Sequence, residues 1–233
     1  LTPECERYPQ ALRFIPDPPA VLYVKGWMPD LNDSPCIAVV GARDALPLSI
    51  QTASRVGYEC AAWDAVLITG GAVGVDSAAI AGALQASGTA ISVLPVDLSS
   101  SYLLRNMTLR TRILENGGAL ITEYLSQDSP ARGGFQLRNR LITGMCHAAV
   151  LIQAALKSGT MIYGRHAADQ GRELFVAAGP ENAVEFAGSR ALLEDGARPF
   201  TKVQDIVMEY EMREAMGSFL QQPEKGKVKK SAS

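Results

Sequence analysis

The sequence predicts an α/β protein with a mostly parallel β-sheet that helices cover on both faces. Short apolar runs recur along the chain, and helical patterns separate them. The runs are continuously apolar, which is typical of strands buried on both faces of a parallel sheet. At 66–79 an apolar run, a glycine-dense turn and an alanine-rich helical segment follow one another directly. These observations together predict repeated strand–turn–helix units.

The elements can be placed in chain order. Residues 1–35 are rich in proline and contain one short apolar piece at 21–24. Because proline is hard to place inside a sheet, they predict a lead-in segment that packs on the core with one edge strand. The strands that follow are expected at 36–40, 65–69, 90–94, 119–122, 148–152 and 174–178. Helices are expected at 48–63, 75–87, 103–116, 136–146 and 160–170, with a loop at 124–134. We place the main domain at 36–212 and a disordered basic tail at 213–233.

The charge balance limits the possible partners. The 233 residues carry a formal net charge of −2, which argues against a globally basic surface for nucleic acid. Any site for a polyanion must therefore be local, and 105–140 is such a patch, with six arginines against three carboxylates. These residues are Arg105, Arg110, Arg112, Arg132, Arg138 and Arg140 against Glu115, Glu123 and Asp128. Aromatic residues are sparse there, so binding led by the nucleic-acid backbone is expected.

Cysteine and histidine usage argues against several kinds of site. Four cysteines without a CxxC pair predict reduced thiols in a cytoplasmic protein, with neither a disulfide framework nor a zinc site. The histidines, His147 and His166, are predicted away from the strand ends, which disfavours metal or Ser-His-Asp chemistry. No apolar run reaches the roughly 18 residues of a membrane span, so no membrane partner is expected.

Ligands of parallel sheets bind at the carboxyl ends of the strands, near the point where the strand order reverses. The segments at those ends are 41–43, 69–76, 95–97, 123, 153–160 and 179–180. Three of them carry glycine, hydroxyl or arginine groups suited to an anion, and none offers a nucleophile beside a base. The turn at 69–76 is either a phosphate site or an ordinary strand–helix turn. It lacks both the G-x-G-x-x-G spacing and a Walker lysine, so NAD and ATP are disfavoured and no cofactor is expected.

A series of ordered motifs covers roughly residues 8–200. The motifs are Tyr8-Pro9 with Leu12, DPP–LY–KG at 17–26, IAVVGAR at 37–43, TGGAVGVD at 69–76, ISVLP at 91–95 with Tyr102 and Asn106, GGALITE at 117–123, F-x-x-RNR-x-I at 135–142, SGT at 158–160, GRELFVAAG at 171–179 and EDGA at 194–197. In this order they make the chain resemble the DprA/Smf family of DNA-processing proteins.

The resemblance implies an extended Rossmann-like domain and a cytoplasmic, non-enzymatic protein that binds single-stranded DNA. It also implies a homodimer that helps to load a RecA-type recombinase during DNA uptake, transformation and recombination. The candidate phosphate-binding residues are then Gly41, Arg43, Thr69, Gly70, Gly71, Gly74, Arg110, Arg138, Asn139, Ser158 and Gly159.

The sequence departs from the family pattern at several positions. Val73 replaces the arginine of the glycine-rich motif, and Ile80 replaces a histidine shortly after it. Gln136 replaces a proline, Gln153 replaces a glutamate, and Tyr163 stands where a threonine is expected. The loss of the motif arginine removes a phosphate contact worth about one unit of salt slope. These departures concern the strength of DNA binding and not the fold.

Helical spacing gives expectations for three arginines. Arg138 and Arg140 lie two residues apart, so a helix directs them to nearly opposite sides, and we expect Arg140 to hold the fold through an ion pair. Arg110 falls inside an apolar arc of its helix. It either pairs with Glu123 or Asp76, or extends to the edge of the helix.

Two alternatives to DNA binding remain open. The first is a nucleoside-5′-monophosphate phosphoribohydrolase on a related Rossmann-like fold, which requires a PGGxGTxxE motif. Its nearest counterpart is Ser158-Gly159-Thr160, with Tyr163 in the place of the glutamate. The second is a relative that keeps the fold and either senses a nucleotide or binds a protein partner.

Overall fold

The computed structural model describes residues 1–104, 106–125 and 133–220. The strands are β1 Tyr23–Gly26, β2 Cys36–Gly41, β3 Val66–Thr69, β4 Ala90–Val93, β5 Ala119–Thr122, β6 Ala148–Ile152, β7 Glu173–Val176 and β8 Arg198–Pro199. The helices are α1 Pro47–Ala62, α2 Val75–Gln85, α3 Met107–Glu115, α4 Gly134–Gly144, α5 Met161–Asp169, α6 Ala187–Glu194 and α7 Val203–Leu220. Short 3₁₀ helices lie at Gln10–Phe14, Ser101–Leu104 and Val184–Phe186.

The eight strands form one sheet in the order β1-β5-β4-β3-β2-β6-β7-β8. Strand β1 pairs with β5 in the antiparallel direction, and the other pairs are parallel. The chain builds outward from β2 to β5 on one side, then crosses back so that β6 pairs with the free edge of β2. The strand order therefore reverses between β2 and β6, which is where an open sheet of this kind leaves a crevice.

The central strands are buried because both faces of the sheet are covered. Along β2, Ala38 and Val40 face one apolar layer, while Ile37 and Val39 face the other. Helices α1, α2, α3 and α7 supply the second layer, and the lead-in segment packs with α4 and α5 in the first. The predicted α/β fold with a doubly covered, mostly parallel sheet is confirmed.

The lead-in segment provides the edge strand that the sequence predicts, although β1 lies slightly later than 21–24. Tyr8 and Leu12 are fully buried in the core, and the Tyr8 hydroxyl donates a hydrogen bond to the Pro19 carbonyl at 2.8 Å. Burying a tyrosine in this way requires a partner for its hydroxyl, and the proline-rich turn supplies it. The segment is thereby fixed to the sheet by both packing and hydrogen bonding.

The structure differs from the predicted elements in two places. The helix expected at 103–116 begins as α3 only at Met107, because Asn106 adopts a left-handed conformation with φ of 55°. Asparagine tolerates this conformation well, and the Asn106 amide also donates to the Gly71 carbonyl at 3.4 Å. The second difference is that α6, β8 and α7 follow the last predicted strand.

Helix α7 continues past residue 213, where the sequence analysis places the start of a disordered tail. Arg213 lies 2.9 Å from Glu173 and 2.7 Å from Glu209, so these ion pairs connect this part of α7 to β7 and to the preceding turn of the helix. Residues 221–233 lie outside the described residues, as do 126–132 of the expected loop and Arg105, Asp128 and Arg132 of the basic patch. In the part of the chain that is described, every helix is too short or too polar to cross a membrane.

His147 joins the amino ends of the strands to α7. Its Nδ1 accepts a hydrogen bond from the Cys36 amide at 3.0 Å, and its ring lies 4.3 Å from that of Tyr210. Burial lowers the pKa of His147 to about 4, and the nearby Arg172 guanidinium acts in the same direction. The neutral imidazole is therefore the form that the folded chain accommodates.

We expect His147→Asn to reduce the loss of stability in acid. Between the ordinary histidine pKa near 6.5 and about 4, the unfolded wild-type chain binds a proton that the folded chain does not, so stability falls as the pH falls. Over the whole interval the loss is at most roughly 3 to 4 kcal/mol, at about 1.4 kcal/mol per pH unit. Asparagine keeps an acceptor near the Cys36 amide but does not titrate. Urea unfolding from pH 7 to 4.5 should give a flatter stability profile for the variant, and parallel profiles would contradict the assignment.

Candidate functional site

A cleft of about 540 Å³ opens at the carboxyl ends of β2 and β6, where the strand order reverses. We call it the switch-point cleft. Its lining comes from the end of β2 and the loop after it, the turn after β3 with the start of α2, helix α4, the segment after β6 with the start of α5, and the 3₁₀ helix at Val184–Phe186. The lining residues are Gly41, Ala42, Arg43, Asp44, Ala72, Asp76, Phe135, Gln136, Arg138, Asn139, Gln153, Ala155, Ser158, Gly159, Thr160, Tyr163 and Glu185.

The structure brings together six of the candidate phosphate-binding residues in this lining: Gly41, Arg43, Arg138, Asn139, Ser158 and Gly159. Four other candidates are outside this lining, at the end of β3 and in the turn that follows it. Thr69 is the buried end of β3, and Gly70, Gly71 and Gly74 shape the turn that follows. The last candidate, Arg110, lies outside the lining.

Arg43 is the exposed cation of the loop after β2. Its guanidinium carbon lies 4.9 Å from the centroid of the Phe135 ring on α4. Phe135 in turn makes an edge-to-face contact with Tyr102, with ring centroids 5.5 Å apart. The contact with the Phe135 face leaves the Arg43 guanidinium at the mouth of the cleft, where an anion can reach it.

The glycine-rich turn touches the Arg43 loop directly. Gly74 has φ of 85° and ψ of −131°, and a Cβ there would collide with the carbonyl oxygens of Ala42 and Arg43. The Val75 amide donates to the Ala42 carbonyl at 3.1 Å. The close approach of these two backbones requires glycine at this position.

Arg138 lies beneath the cleft and is only 3% exposed. Its Nη1 donates to the carbonyl oxygens of Gly70, at 3.0 Å, and Val93. A Cβ on Gly70 would lie 2.6 Å from the Arg138 guanidinium and 2.8 Å from the Asp76 carboxylate, so the missing side chain makes room for both. Arg138 thus joins the ends of β3 and β4 while its positive charge faces the floor of the cleft.

Asp76 is the buried acid beside Arg138, in the first turn of α2. Burial raises the pKa of its carboxyl, and the Arg138 guanidinium and the amide of Ala72, which donates to Oδ2 at 3.3 Å, oppose that rise. The carboxyl is therefore a partner of the helix start and of Arg138. Asp76 does not cap α2, whose N-cap residue is Gly74, but a carboxylate in the first turn suits the positive end of the helix dipole.

Arg140 points away from Arg138, as their spacing on α4 requires. Its guanidinium makes a two-point ion pair with Glu123, with distances of 2.8 and 2.6 Å, and its Nε lies 2.9 Å from Asp17. The pair connects α4, the end of β5 and the proline-rich lead-in. Arg140 therefore has the structural role that the sequence analysis expects for it.

Arg110 does not fit among the residues of the switch-point cleft. Its side chain is buried, at 5% exposure, and its guanidinium carbon lies 5.5 Å from the centroid of the Tyr102 ring. Glu123, one of its two expected partners, pairs with Arg140, and Asp76 lies beside Arg138. The helical pattern placed Arg110 in the buried arc correctly but did not show which way α3 turns relative to the cleft.

The far wall of the cleft comes from the segment after β6 and from α5. Ser158, Gly159 and Thr160 lead directly into α5, and the Tyr163 hydroxyl on that helix donates to Asn139 at 2.7 Å. Gln153 also lies in this wall, with its side chain bonded to the loop that carries Arg43. The amino end of α5 thus borders the cleft.

The sequence analysis missed Glu185, and it placed Gln153 at the end of a strand, as a departure from the family pattern, without assigning it a role. Glu185 belongs to a short 3₁₀ helix beyond the last predicted strand, where the sequence gives no periodic signal. The one sequence feature that indicated a role in the site for Gln153 is its position directly after a buried strand. Of the other departures, Val73 is 54% exposed on the turn and Ile80 is buried in the apolar core.

Comparison with known proteins places these features in a family context. The family model described as DNA recombination-mediator protein A matches residues 1–211. The protein Smf of Escherichia coli is 35% identical over 205 residues, which is 88% of this chain and 54% of the relative. The chain thus spans about half the length of that curated relative.

Two solved structures are similar to this chain. DNA processing protein A of Streptococcus pneumoniae superposes with a TM-score of 0.81 at 30% identity, covering 90% of this chain and 73% of the other. DNA processing protein A of Helicobacter pylori, which was solved in a study of its single-stranded DNA binding mode, gives a TM-score of 0.79 at 31% identity. That match covers 90% of this chain and 95% of the other.

We expect Gly74→Ala to destabilise the chain much more than Gly117→Ala. Both glycines have positive φ, but a Cβ on Gly117 would meet nothing within 4 Å, whereas one on Gly74 would strike two backbone carbonyls. Gly117→Ala should lose about 1 kcal/mol from backbone conformation alone. Gly74→Ala should lose at least about 2 kcal/mol more, because neither backbone can withdraw. Equal losses in urea unfolding would show that the turn and the Arg43 loop are not tightly packed.

Proposed function

This chain belongs to the DNA recombination-mediator protein A family, and on that basis we propose that it binds the backbone of single-stranded DNA in the switch-point cleft. The observation that carries the proposal is the placement of an exposed arginine, Arg43, against a glycine-rich turn at the reversal of the strand order. The relative from Helicobacter pylori, whose structure was solved in a study of single-stranded DNA binding, supports it.

The chemistry of the cleft suits a sugar–phosphate backbone. Arg43 offers a guanidinium at the mouth, and the start of α5 beside Ser158 and Gly159 supplies the positive end of a helix dipole. Phe135 and Tyr102 present aromatic surface on which an unpaired base can stack. Stacking and backbone contacts tolerate any base, so we infer binding with little sequence preference.

The charges around the cleft argue for few phosphate contacts. Arg43 and Arg138 are accompanied by Asp44, Asp76 and Glu185 in the same lining. Arg138 already donates to two backbone carbonyls, and the motif position at Val73 carries no charge. We therefore propose that Arg43 provides the main contact with phosphate and that binding depends only moderately on salt.

We further propose that the protein acts by binding and not by catalysis, in the cytoplasm, and that it assists a RecA-type recombinase in DNA uptake, transformation and recombination. The family description as a recombination mediator supports this role.

The phosphoribohydrolase alternative is not favoured. Tyr163, which stands where that enzyme class has its glutamate, is buried and hydrogen-bonded to Asn139.

We propose that two copies associate through helix α7. Val203, Ile206 and Val207 on one side of this helix are buried in the core. Another side carries Met208, Met212 and Met216, which are 47%, 59% and 67% exposed and are spaced four residues apart. A row of exposed methionines along one helix face is a surface that readily packs against a copy of itself.

We expect Arg43→Ala to weaken binding to a labelled oligo-dT and to flatten its dependence on salt. Removal of one phosphate contact should lower the slope of log affinity against log salt by about 0.7 for a single strand. Arg7→Ala is the matched control, because Arg7 stacks on Trp27 near the amino end of β5, away from the cleft. Fluorescence anisotropy at several salt concentrations measures both quantities. Absence of salt-sensitive wild-type binding, or equal effects of the two variants, would contradict the proposal.

We expect Met212→Arg to dissociate the proposed dimer into monomers, because a charge on this face cannot be buried against a second copy without a partner. Glu211→Arg is the control, since it adds positive charge to the same helix outside the methionine row. Sedimentation velocity should show dimers for the wild type and Glu211→Arg but monomers for Met212→Arg. A monomeric wild type would exclude this mode of association.

A further inference from the structure

Gln153 has an unusual backbone conformation directly after β6. Its φ is 57°, in the left-handed region that side chains other than glycine, asparagine and aspartate rarely occupy. The residue is 2% exposed and lines the switch-point cleft. A strained backbone in the buried wall of a cleft persists only where surrounding contacts hold it in place.

Both polar atoms of the Gln153 side chain are bonded to the loop after β2. Nε2 donates to the Asp44 carbonyl at 3.0 Å, and Oε1 accepts from the Leu46 amide at 2.8 Å. The amide group therefore bridges two backbone positions that lie directly after Arg43. A carboxylate could accept from Leu46, but it could not donate to Asp44, so the neutral amide fits both partners.

The Arg43 loop is held from both sides. On one side the Val75 amide donates to the Ala42 carbonyl, and Gly74 lies against Ala42 and Arg43. On the other side Gln153 holds Asp44 and Leu46, immediately before Pro47 begins α1. The backbone of Arg43 is thus fixed on both sides, while its side chain rests on Phe135.

We propose that Gln153 is a positioning residue for DNA binding, which acts by holding the Arg43 loop so that the guanidinium faces the switch-point cleft. The inference rests on the proposed function of the cleft. Without the two hydrogen bonds of the Gln153 side chain, the loop would keep its contact with Gly74 but lose its attachment to the end of β6. Arg43 would then have to be ordered by the ligand, and part of the binding free energy would be lost to that ordering.

A double-mutant cycle tests the inference. Gln153→Met keeps the length of the side chain and its neutrality but can form neither hydrogen bond. We expect it to weaken oligo-dT binding by about threefold to tenfold when Arg43 is present, and to have almost no effect in the Arg43→Ala background. A direct contact between Gln153 and DNA predicts instead equal losses in both backgrounds, and that result would overturn the inference.

Two further variants separate positioning from stability. Gln170→Met makes the same chemical change at a residue that does not touch the Arg43 loop, and it should leave affinity unchanged. The Gln170 Nε2 donates instead to the Arg140 carbonyl, at a distance of 3.0 Å. Gln153→Gly removes both side-chain hydrogen bonds, but glycine suits the positive φ at this position. The variant should therefore remain folded and lose affinity as Gln153→Met does. Affinity equal to wild type in Gln153→Gly, or a loss in Gln170→Met as large as in Gln153→Met, would refute the role.

Failure of the inference and failure of the proposed function give different results. If the wild type does not bind oligo-dT with salt dependence, the proposed function itself is wrong. If the wild type binds and Arg43→Ala weakens binding, but the effects of Gln153→Met and Arg43→Ala simply multiply, the function stands and Gln153 is not a positioning residue.

Discussion

The structure around the cleft depends on one buried cation. The Arg138 guanidinium bonds to carbonyl groups at the ends of β3 and β4, beside the carboxylate of Asp76. A buried charge is tolerated when hydrogen bonds and a nearby opposite charge offset the loss of hydration. Here Nη1 has two carbonyl acceptors and the Asp76 carboxylate lies close, while the buried Nε has no hydrogen-bond partner among the described residues. Through Gly70 the same cation fixes the glycine-rich turn, and through that turn it sets the position of the Arg43 loop.

Most of the fold could be predicted because strands buried on both faces leave a continuous apolar signal. The same argument explains what could not be predicted. Strand β8 has two exposed residues and carries no such pattern, and α7 buries only its first turns while ion pairs hold Arg213. Asn106 interrupts the expected helix at 103–116 with a left-handed backbone conformation, and its side chain bonds to Gly71, which is distant in the sequence. The local periodicity of a sequence cannot predict a contact between residues that are far apart in the chain.

The candidate site was predictable to the extent that strand ends and helix spacing define it. Arg43 follows from its position after β2, and the separation of Arg138 from Arg140 follows from the turn of a helix. The position of Arg110 outside the cleft lining could not be predicted, because a helical arc shows that a side chain is buried but not against which element. Gln153 reveals its role only through bonds to Asp44 and Leu46, more than a hundred residues earlier in the chain.

The two outer strands restrict how copies of this chain can assemble. At one edge β1 has four residues, including Lys25, and follows the proline-rich lead-in, and at the other edge β8 has only two residues. Short edges with lysine and proline do not template another chain, so the sheet cannot be continued from molecule to molecule. Contacts between copies are therefore expected to use side chains on helices or loops, and the short edges protect the chain against fibrous aggregation.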